Sequence, residues 1–487
     1  MAYEGVIGLE CHIQLGTRSK MFCDCPAGFG AAANANVCPV CLGLPGALPR
    51  ANDAAVDLAL ALGLALGCHI RPRSRFARKH YFYPDMPKNY QITQYEEPLC
   101  EGGALPVAVE GDPRPFALTR IHAEEDTGKS FHPERHGDRR VSRVDFNRAG
   151  VPLLELVTEP VLRTPEECAA FLTALRRLVR WLGISDGDME KGQLRCDANV
   201  SVRPRGETTL GTKTELKNLN SIKGVEKGVA AELARQQQVL AQGGRIEQAT
   251  LLYDADHDRL AVMRSKEHAH DYRYFQDPDL PVLIVDDARL ARVRAALPEL
   301  PWAREARLVQ LGLPAYDAAV LTEQRELADY FEALAGLADA KLASNWVMTE
   351  VLRVLKERDW SLSEWRAQVP AARLGDLLGR VHRRELPGPL AKQVFGWLEH
   401  ETGSVDEVLA RHGVRVQASA DELAPLVRQV IDAHPGPVAQ YLGGKTSTLG
   451  FLVGQVMKLS QGQAVPQTVQ SLLKAELDRR AETPSSH

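Results

Sequence analysis

The chain has 487 residues, 44% hydrophobic and 25% charged, with a formal net charge of −4. That length exceeds what one hydrophobic core serves, so several domains of ordinary globular material are expected. The slightly acidic balance excludes attraction of the whole protein to nucleic acid, so any such binding must rest on local patches.

The start, Met-Ala-Tyr-Glu-Gly, carries neither a charged leader nor an apolar run. No later segment offers about 18 uninterrupted apolar residues, so the expectation is a soluble, cytoplasmic protein with no membrane partner. Residues 6–15 alternate: Ile7, Leu9, Cys11, Ile13 and Leu15 are apolar, with Gly8, Glu10, His12 and Gln14 between them. This predicts a strand with one core face and one face that presents Glu10 beside His12. Their α-carbons would lie about 7 Å apart, near enough to serve one ion; the competing reading is a solvent-facing sheet edge.

Nine cysteines in uneven spacing argue against a secreted disulfide framework. Cys23-Asp24-Cys25 and Cys38-Pro39-Val40-Cys41 form two close pairs joined by a flexible connector. Such pairs close tetrahedrally on structural Zn²⁺ and leave no open catalytic position; otherwise they are four reduced thiols in a small loop. Cys11, Cys68, Cys100, Cys168 and Cys196 have the character of buried small hydrophobes.

Residues 52–66 predict a buried helix. Arg71, Arg73, Arg75, Arg78 and Lys79 then lead into His80-Tyr81-Phe82-Tyr83-Pro84-Asp85-Met86-Pro87-Lys88-Asn89-Tyr90. Cations interleaved with rings suit phosphate contact and base stacking, and the prolines predict an ordered loop over 80–90; a surface loop anchored by its aromatics is the alternative. In residues 121–130, His122 is followed by Glu124, Glu125 and Asp126, then Gly128-Lys129-Ser130. Three successive acids repel one another unless a cation joins them, and their oxygens suit Mg²⁺ and phosphate chemistry; the bland reading is a solvated turn.

Residues 118–202 predict mostly strands, interrupted by one helix. It opens at Thr164-Pro165-Glu166-Glu167, carries the stripe Cys168, Phe171, Leu172, Leu175, Leu178, Val179 and Leu182, and stops at Gly183. Residues 193–203 repeat the alternation of the first strand, with Arg195, Asp197 and Asn199 on a hydrogen-bonding face. A polar strand over 212–219 and a helix over 221–243 follow, then a loop over 270–281 mixing charge, rings and prolines. From 286 to about 405 the pattern predicts short helices anchored by Trp346, Trp360, Trp365 and Trp397. The remainder predicts a small helical module whose purely basic stretch, 443–458, contains Lys445 and Lys458.

Gly128-Lys129-Ser130 and Gly444-Lys445-Thr446 imitate phosphate-binding loops, but the required earlier glycine is replaced by Ala123 and Ala439. The residues alone therefore describe a metal-dependent enzyme with a polar sheet and a nucleic-acid partner, and leave the reaction open.

Six motifs in order, Gly8-Leu9-Glu10-Cys11-His12-Ile13-Gln14-Leu15, residues 78–85, residues 122–129, Leu194-Arg195-Cys196-Asp197-Ala198-Asn199, residues 215–221 and Asp271-Tyr272-Arg273-Tyr274-Phe275, closely resemble the B subunits of the tRNA-dependent amidotransferases. The resemblance implies an α+β protein: an antiparallel-sheet cradle with flanking helices over 1–290, a helical domain over 291–404 and a tRNA-binding tail over 405–487. It implies a ligase that amidates Glu-tRNA(Gln) or Asp-tRNA(Asn) with ATP, through a phosphorylated aminoacyl intermediate. Ammonia would come through a tunnel from the amidase (glutaminase) partner, the A chain of the complex, with a small C chain and the mischarging synthetase as further partners. Glu10, His12, Glu124 and Glu125 would hold Mg²⁺, with Asp197 and Lys88 also catalytic, and Lys88 and Glu125 on the ammonia path. Asn199, Glu215 and Lys217 would line site or tunnel, while Arg78, Lys79, Tyr81, Tyr83, Lys445 and Lys458 would contact tRNA or its aminoacyl end. Cys11 departs from the family's usual valine, and part of the family lacks the cysteine quartet, which assigns the zinc a structural role. The alternative from another class is a zinc-stabilised tRNA-binding scaffold without chemistry of its own.

Overall fold

The computed structural model describes residues 2–109, 111–131, 142–254, 257, 259–265, 271–414, 420–460, 464 and 466–482. His270, at the head of the expected loop over 270–281, lies outside them. The chain divides into two compact units, Met1–Trp302 and Ala303–His487. The expected α+β class holds: an antiparallel-dominated sheet precedes a helical region.

Among the described residues, ten strands form the large sheet of the first unit. They are β1 (Tyr3–Gln14), β2 (His69–Ile70), β3 (Cys100–Glu101), β4 (Ala104–Val109), β5 (Asp112–Glu125), β6 (Pro152–Thr158), β7 (Leu194–Pro204), β8 (Thr214–Leu219), β9 (Ala249–Asp254) and β10 (Arg259–Ser265). Their order is β10-β9-β8-β7-β1-β6-β5-β3-β2, with β4 paired to β5, and only β8 and β9 run parallel.

The alternation in β1 does what period-2 patterning requires. Ile7, Leu9, Cys11 and Ile13 are fully buried on one face, while Glu10 and His12 share the other. Besides the helix over Asp53–Ala65, whose Val56, Ala59 and Leu60 join the same core, two helices cover the apolar face. The first of them, α1 (Pro165–Trp181), starts where Thr164 Oγ1 accepts from the Glu167 amide and buries Cys168, Phe171, Leu172, Leu175, Leu178 and Val179. Glu167 does not close a capping box; its carboxylate accepts from Arg163 N at 2.7 Å and pairs with Arg114 at 2.8 Å. The second, α2 (Ile222–Ala241), is capped by Ser221 and buries Val225, Val229 and Leu233. These side chains join one core with the inner faces of β1, β5, β6 and β7, which leaves the opposite face of the sheet polar.

The expected loop over 80–90 is shorter than its composition predicts. Ala77–His80 and Tyr90–Thr93 pair as strands with Phe275–Gln276 in a small three-stranded sheet, so only 81–89 is loop. In a strand, adjacent residues face opposite ways, and Arg78 and Lys79 therefore cannot share one task.

The second unit is helical and holds two separate apolar cores. One gathers residues from Leu308 to Leu409, including Trp346 and fully buried Trp365, with Trp360 and Trp397 packed at its margin. The other gathers Leu423, Val427, Leu452, Val456, Leu473 and neighbours from the last helices. Among the described residues no helix is long and apolar enough to cross a membrane.

Candidate active site

Register across four adjacent strands assembles the site. Arg195 of β7 stands opposite His12 of β1, His12 opposite Glu155 of β6, and Glu155 opposite His122 of β5. Glu124, two residues beyond His122, returns to the same face. One ligand atom each of His12, Glu124 and Glu155 lies within 4.8 Å of the others. His12 Nε2 is 3.3 Å from Glu155 Oε2 and 3.6 Å from Glu124 Oε1; His122 Nε2 is 3.5 Å from Glu124 Oε2. Thr93 Oγ1 donates to Glu124 Oε2 at 3.0 Å, and Glu124 is only 2% exposed.

Burial would neutralise such a cluster if its members were not paired. Burial opposes the charged form of His12, but the hydrogen bond to Glu155 and the charge of Glu124 outweigh it and hold His12 above its ordinary value. Burial likewise pushes Glu124 and Glu155 up, and the neighbouring histidines overcome it and keep both below the usual carboxylate range. Lys79 projects toward the same charges: burial lowers it, while Glu124, Tyr274 and Glu155 raise it to a net upward shift. Its ammonium lies 5.0 Å from the Tyr272 ring, and Tyr274 stacks on Tyr95 at 4.0 Å. Two carboxylates held ionised, Glu124 buried and Glu155 half-buried, fit a divalent cation together with the half-buried His12 imidazole, which joins them once a cation displaces its proton, with positions left for phosphate oxygens.

Glu10 and Glu125 lie outside that trio of ligand atoms. Glu10 Oε1 accepts from Asn199 Nδ2 at 2.8 Å; burial first, then Glu155, raises its carboxyl above the ordinary range. Beside it Lys217 Nζ bridges Asp197 at 2.6 Å and Glu215 at 3.0 Å, so Asp197, Asn199, Glu215 and Lys217 continue the polar face across β7 and β8. Glu125 turns the other way: its Oε1 accepts from Lys88 Nζ and from Ile92 N at 2.9 Å. Asp126, third of the acidic run, is buried against Arg195 at 3.0 Å and Arg148 at 3.6 Å. One run of three acids thus serves three separate partners.

Arg78 is held by Asp277 and Asp279 at 2.8 and 2.7 Å and lies over the Tyr90 ring at 4.3 Å. Tyr81 is half-buried and its phenol is pushed up, by burial first and then by Asp85. Phe82 and Tyr83 are exposed. Lys129 opens a short strand over Lys129–Phe131 while Gly128 N donates to Asp85 O, so this Gly-Lys-Ser offers no phosphate cradle. In the second unit Lys445 and Lys458 are exposed, as is Phe451 between them.

Sequence reasoning missed Glu155. Its signal was a lone acid in the apolar run Leu153-Leu154-Glu155-Leu156-Val157 of β6.

The cysteine quartet forms a second centre. One sulfur from each of Cys23, Cys25, Cys38 and Cys41 lies within 4.8 Å of the others. Tetrahedral Zn²⁺ at about 2.3 Å per bond requires sulfurs about 3.8 Å apart, so the four need only a small contraction. Cys38 N donates to Cys41 Sγ at 3.2 Å, and the fully buried Lys20 directs Nζ to Asn36 O at 2.7 Å, Phe146 O at 3.3 Å and Cys41 Sγ at 3.6 Å. Cys41 is held below the ordinary thiol range by its hydrogen bond with Cys23, then by the Cys38 amide and Lys20. The donors therefore fit zinc, with Lys20 offsetting thiolate charge. Lys20→Met is expected to weaken zinc retention by roughly 10- to 100-fold in a chelator competition, the usual cost of losing such a supporting group.

The geometry lies within residues that match known proteins. Residues 5–291 match the family described as "GatB/GatE catalytic domain", and residues 329–477 match "GatB domain". The B subunit of the aspartyl/glutamyl-tRNA(Asn/Gln) amidotransferase of Prosthecochloris aestuarii is 50% identical over 98% of both chains. The proteins of the same name from Chlorobium chlorochromatii and Moorella thermoacetica are 49% and 48% identical, each over 98% of this chain and 100% of their own. Coverage of this extent spans both units, and the chain belongs to the GatB family, the B subunits of the amidotransferases that act in tRNA-dependent amidation.

Proposed function

We propose that the polar sheet face is where a mischarged aminoacyl-tRNA is activated and amidated. The side-chain carboxylate of the esterified Glu or Asp attacks the γ-phosphorus of ATP and ADP departs. Ammonia then attacks the acyl carbon, phosphate leaves, and the nitrogen loses a proton. His12, Glu124 and Glu155 would hold Mg²⁺, which supplies charge neutralisation at the transferring phosphoryl group. Lys79, whose charge Glu124 and Glu155 favour, would add a second positive charge to stabilise the transferring phosphoryl group. Glu10, Asn199, Asp197 and Lys217 bind and orient the polar substrate along the sheet, and Glu215 holds Lys217 in place. Lys88 and Glu125 close the compartment through which ammonia arrives from the amidase partner, and a small third chain completes the assembly.

The observation that carries this reading is the convergence of His12, Glu124 and Glu155 from three adjacent strands. A complex with the amidase and the small third chain, given glutamine, ATP and each mischarged tRNA, is expected to form amide on the tRNA and to hydrolyse ATP faster when that tRNA is present. ATP hydrolysis indifferent to mischarged tRNA would instead favour a binding scaffold.

The tail would add affinity without chemistry, since Lys445, Phe451 and Lys458 are exposed there. Truncation after residue 404 is expected to raise the tRNA KM and flatten the salt dependence of binding, as lost phosphate contacts do. Unchanged tRNA affinity in the truncated complex would remove that assignment.

A further inference from the structure

The cysteine loop and the Lys88–Glu125 pair are separate in sequence and in chemistry, yet they bound one small cavity. It has a volume of about 70 Å³ and is lined by Phe22, Cys23, Cys41, Gly43, Lys88 and Glu125 among others. The pair itself is nearly dry, with Lys88 and Glu125 side chains 7% and 2% exposed.

Two glycines carry the contact. Gly43, two residues beyond the last cysteine, has φ +66°, and a β-carbon there would sit 2.5 Å from Lys88 Cγ and 3.0 Å from Lys88 Cα. The turn's backbone therefore rests directly on the Lys88 stem, at a distance only glycine permits. Gly150, with φ +86°, fills the gap on the other side. A β-carbon there would lie 3.4 Å from both Cys41 Cβ and Lys20 Cδ and 3.7 Å from Glu125 Oε2. The thiol cluster, the Lys20 stem and the Glu125 carboxylate thus meet around one backbone position.

We infer that the cysteine loop is a positioning device for Lys88: closure of the four thiolates on one metal ion seats the Cys38–Gly43 turn, and the turn holds Lys88 on Glu125. This deepens the role proposed above for that pair on the ammonia path and rests on it. A lysine with four rotatable carbons has many alternative rotamers, and a wall against its stem removes most of them. With the metal lost, the sulfurs separate, the turn loses its seat and Lys88 gains freedom to leave Glu125.

The test uses the assembled complex and compares amidation supported by glutamine with amidation supported by added ammonium salt, with zinc content measured alongside. Gly43→Ala is expected to lower the glutamine-supported rate by roughly tenfold or more while the ammonium-supported rate stays within about twofold, since displacements near 1 Å cost on that scale. A merely structural loop would lower both rates together, and that result, or no change in either, overturns the inference. If Gly43→Ala does not assemble, Lys88→Ala is read by chelator-monitored zinc release. Coupling is reciprocal, so loss of the Lys88 stem is expected to speed release several-fold, and unchanged release overturns the inference. Lys88→Ala that leaves the glutamine-to-ammonium ratio untouched refutes the ammonia-path role itself. A ratio altered by Lys88→Ala but not by Gly43→Ala refutes only the positioning by the loop.

Discussion

Glu124→Gln, in the complex with its partner chains, is expected to lower amidation of mischarged tRNA by about 10³-fold or more, the scale of losing a metal clamp at a transferring phosphoryl group. The substitution keeps size and hydrogen bonding while removing the charge that His12, His122 and Lys79 balance. Glu155→Gln is expected to fall in the same range, because its carboxylate is shared between the same two histidines. Glu10→Gln should disturb substrate orientation more than phosphoryl transfer, since Glu10 bonds Asn199 outside the trio. Partner-catalysed glutamine hydrolysis and tRNA binding serve as controls and are expected to persist. Near-normal amidation by Glu124→Gln at saturating Mg²⁺ would dissolve the proposed metal site and return the acidic run to a structural role.

Trp365→Ala is expected to cost about 3–5 kcal/mol, the usual range for deleting a buried indole. Trp365 is fully buried, its ring centre lies 5.4 Å from that of Phe395, and its Nε1 donates to the Tyr330 hydroxyl at 3.0 Å. That hydroxyl in turn donates to Val369 O at 3.0 Å, so the indole anchors a buried chain of hydrogen bonds as well as a packing site. For a unit of this size the melting transition should drop by roughly 10 °C or more. Thermal unfolding of residues 303–487 followed by circular dichroism measures it, and an unchanged midpoint would show that Trp365 does not organise this core.

Some features are legible from local chemistry because neighbours in sequence determine them. The alternation in residues 6–15 sets which face of β1 is buried. The Thr164 and Ser221 caps mark where α1 and α2 begin. The close pairing of Cys23 with Cys25 and of Cys38 with Cys41 announces a thiol cluster able to hold a metal ion, and the four sulfurs do converge. Motif order alone is enough to identify the family. Other features belong to register between strands remote in sequence, which no local pattern encodes. Glu10 and His12 share a face, yet only His12 falls opposite Glu155, because pairing steps along β6 bring Val157 against Glu10. Glu124, Glu125 and Asp126 form one acidic run, but alternation along β5 and the strand's end send them to His12, Lys88 and Arg195 respectively. Arg78 and Lys79 look equivalent until their strand turns one toward Asp277 and the other toward the acids of the sheet. Residue order alone establishes which side-chain types are available and which strand faces are polar. Pairing between distant strands settles which charges meet, because a buried charge is stable only beside a partner that another strand supplies.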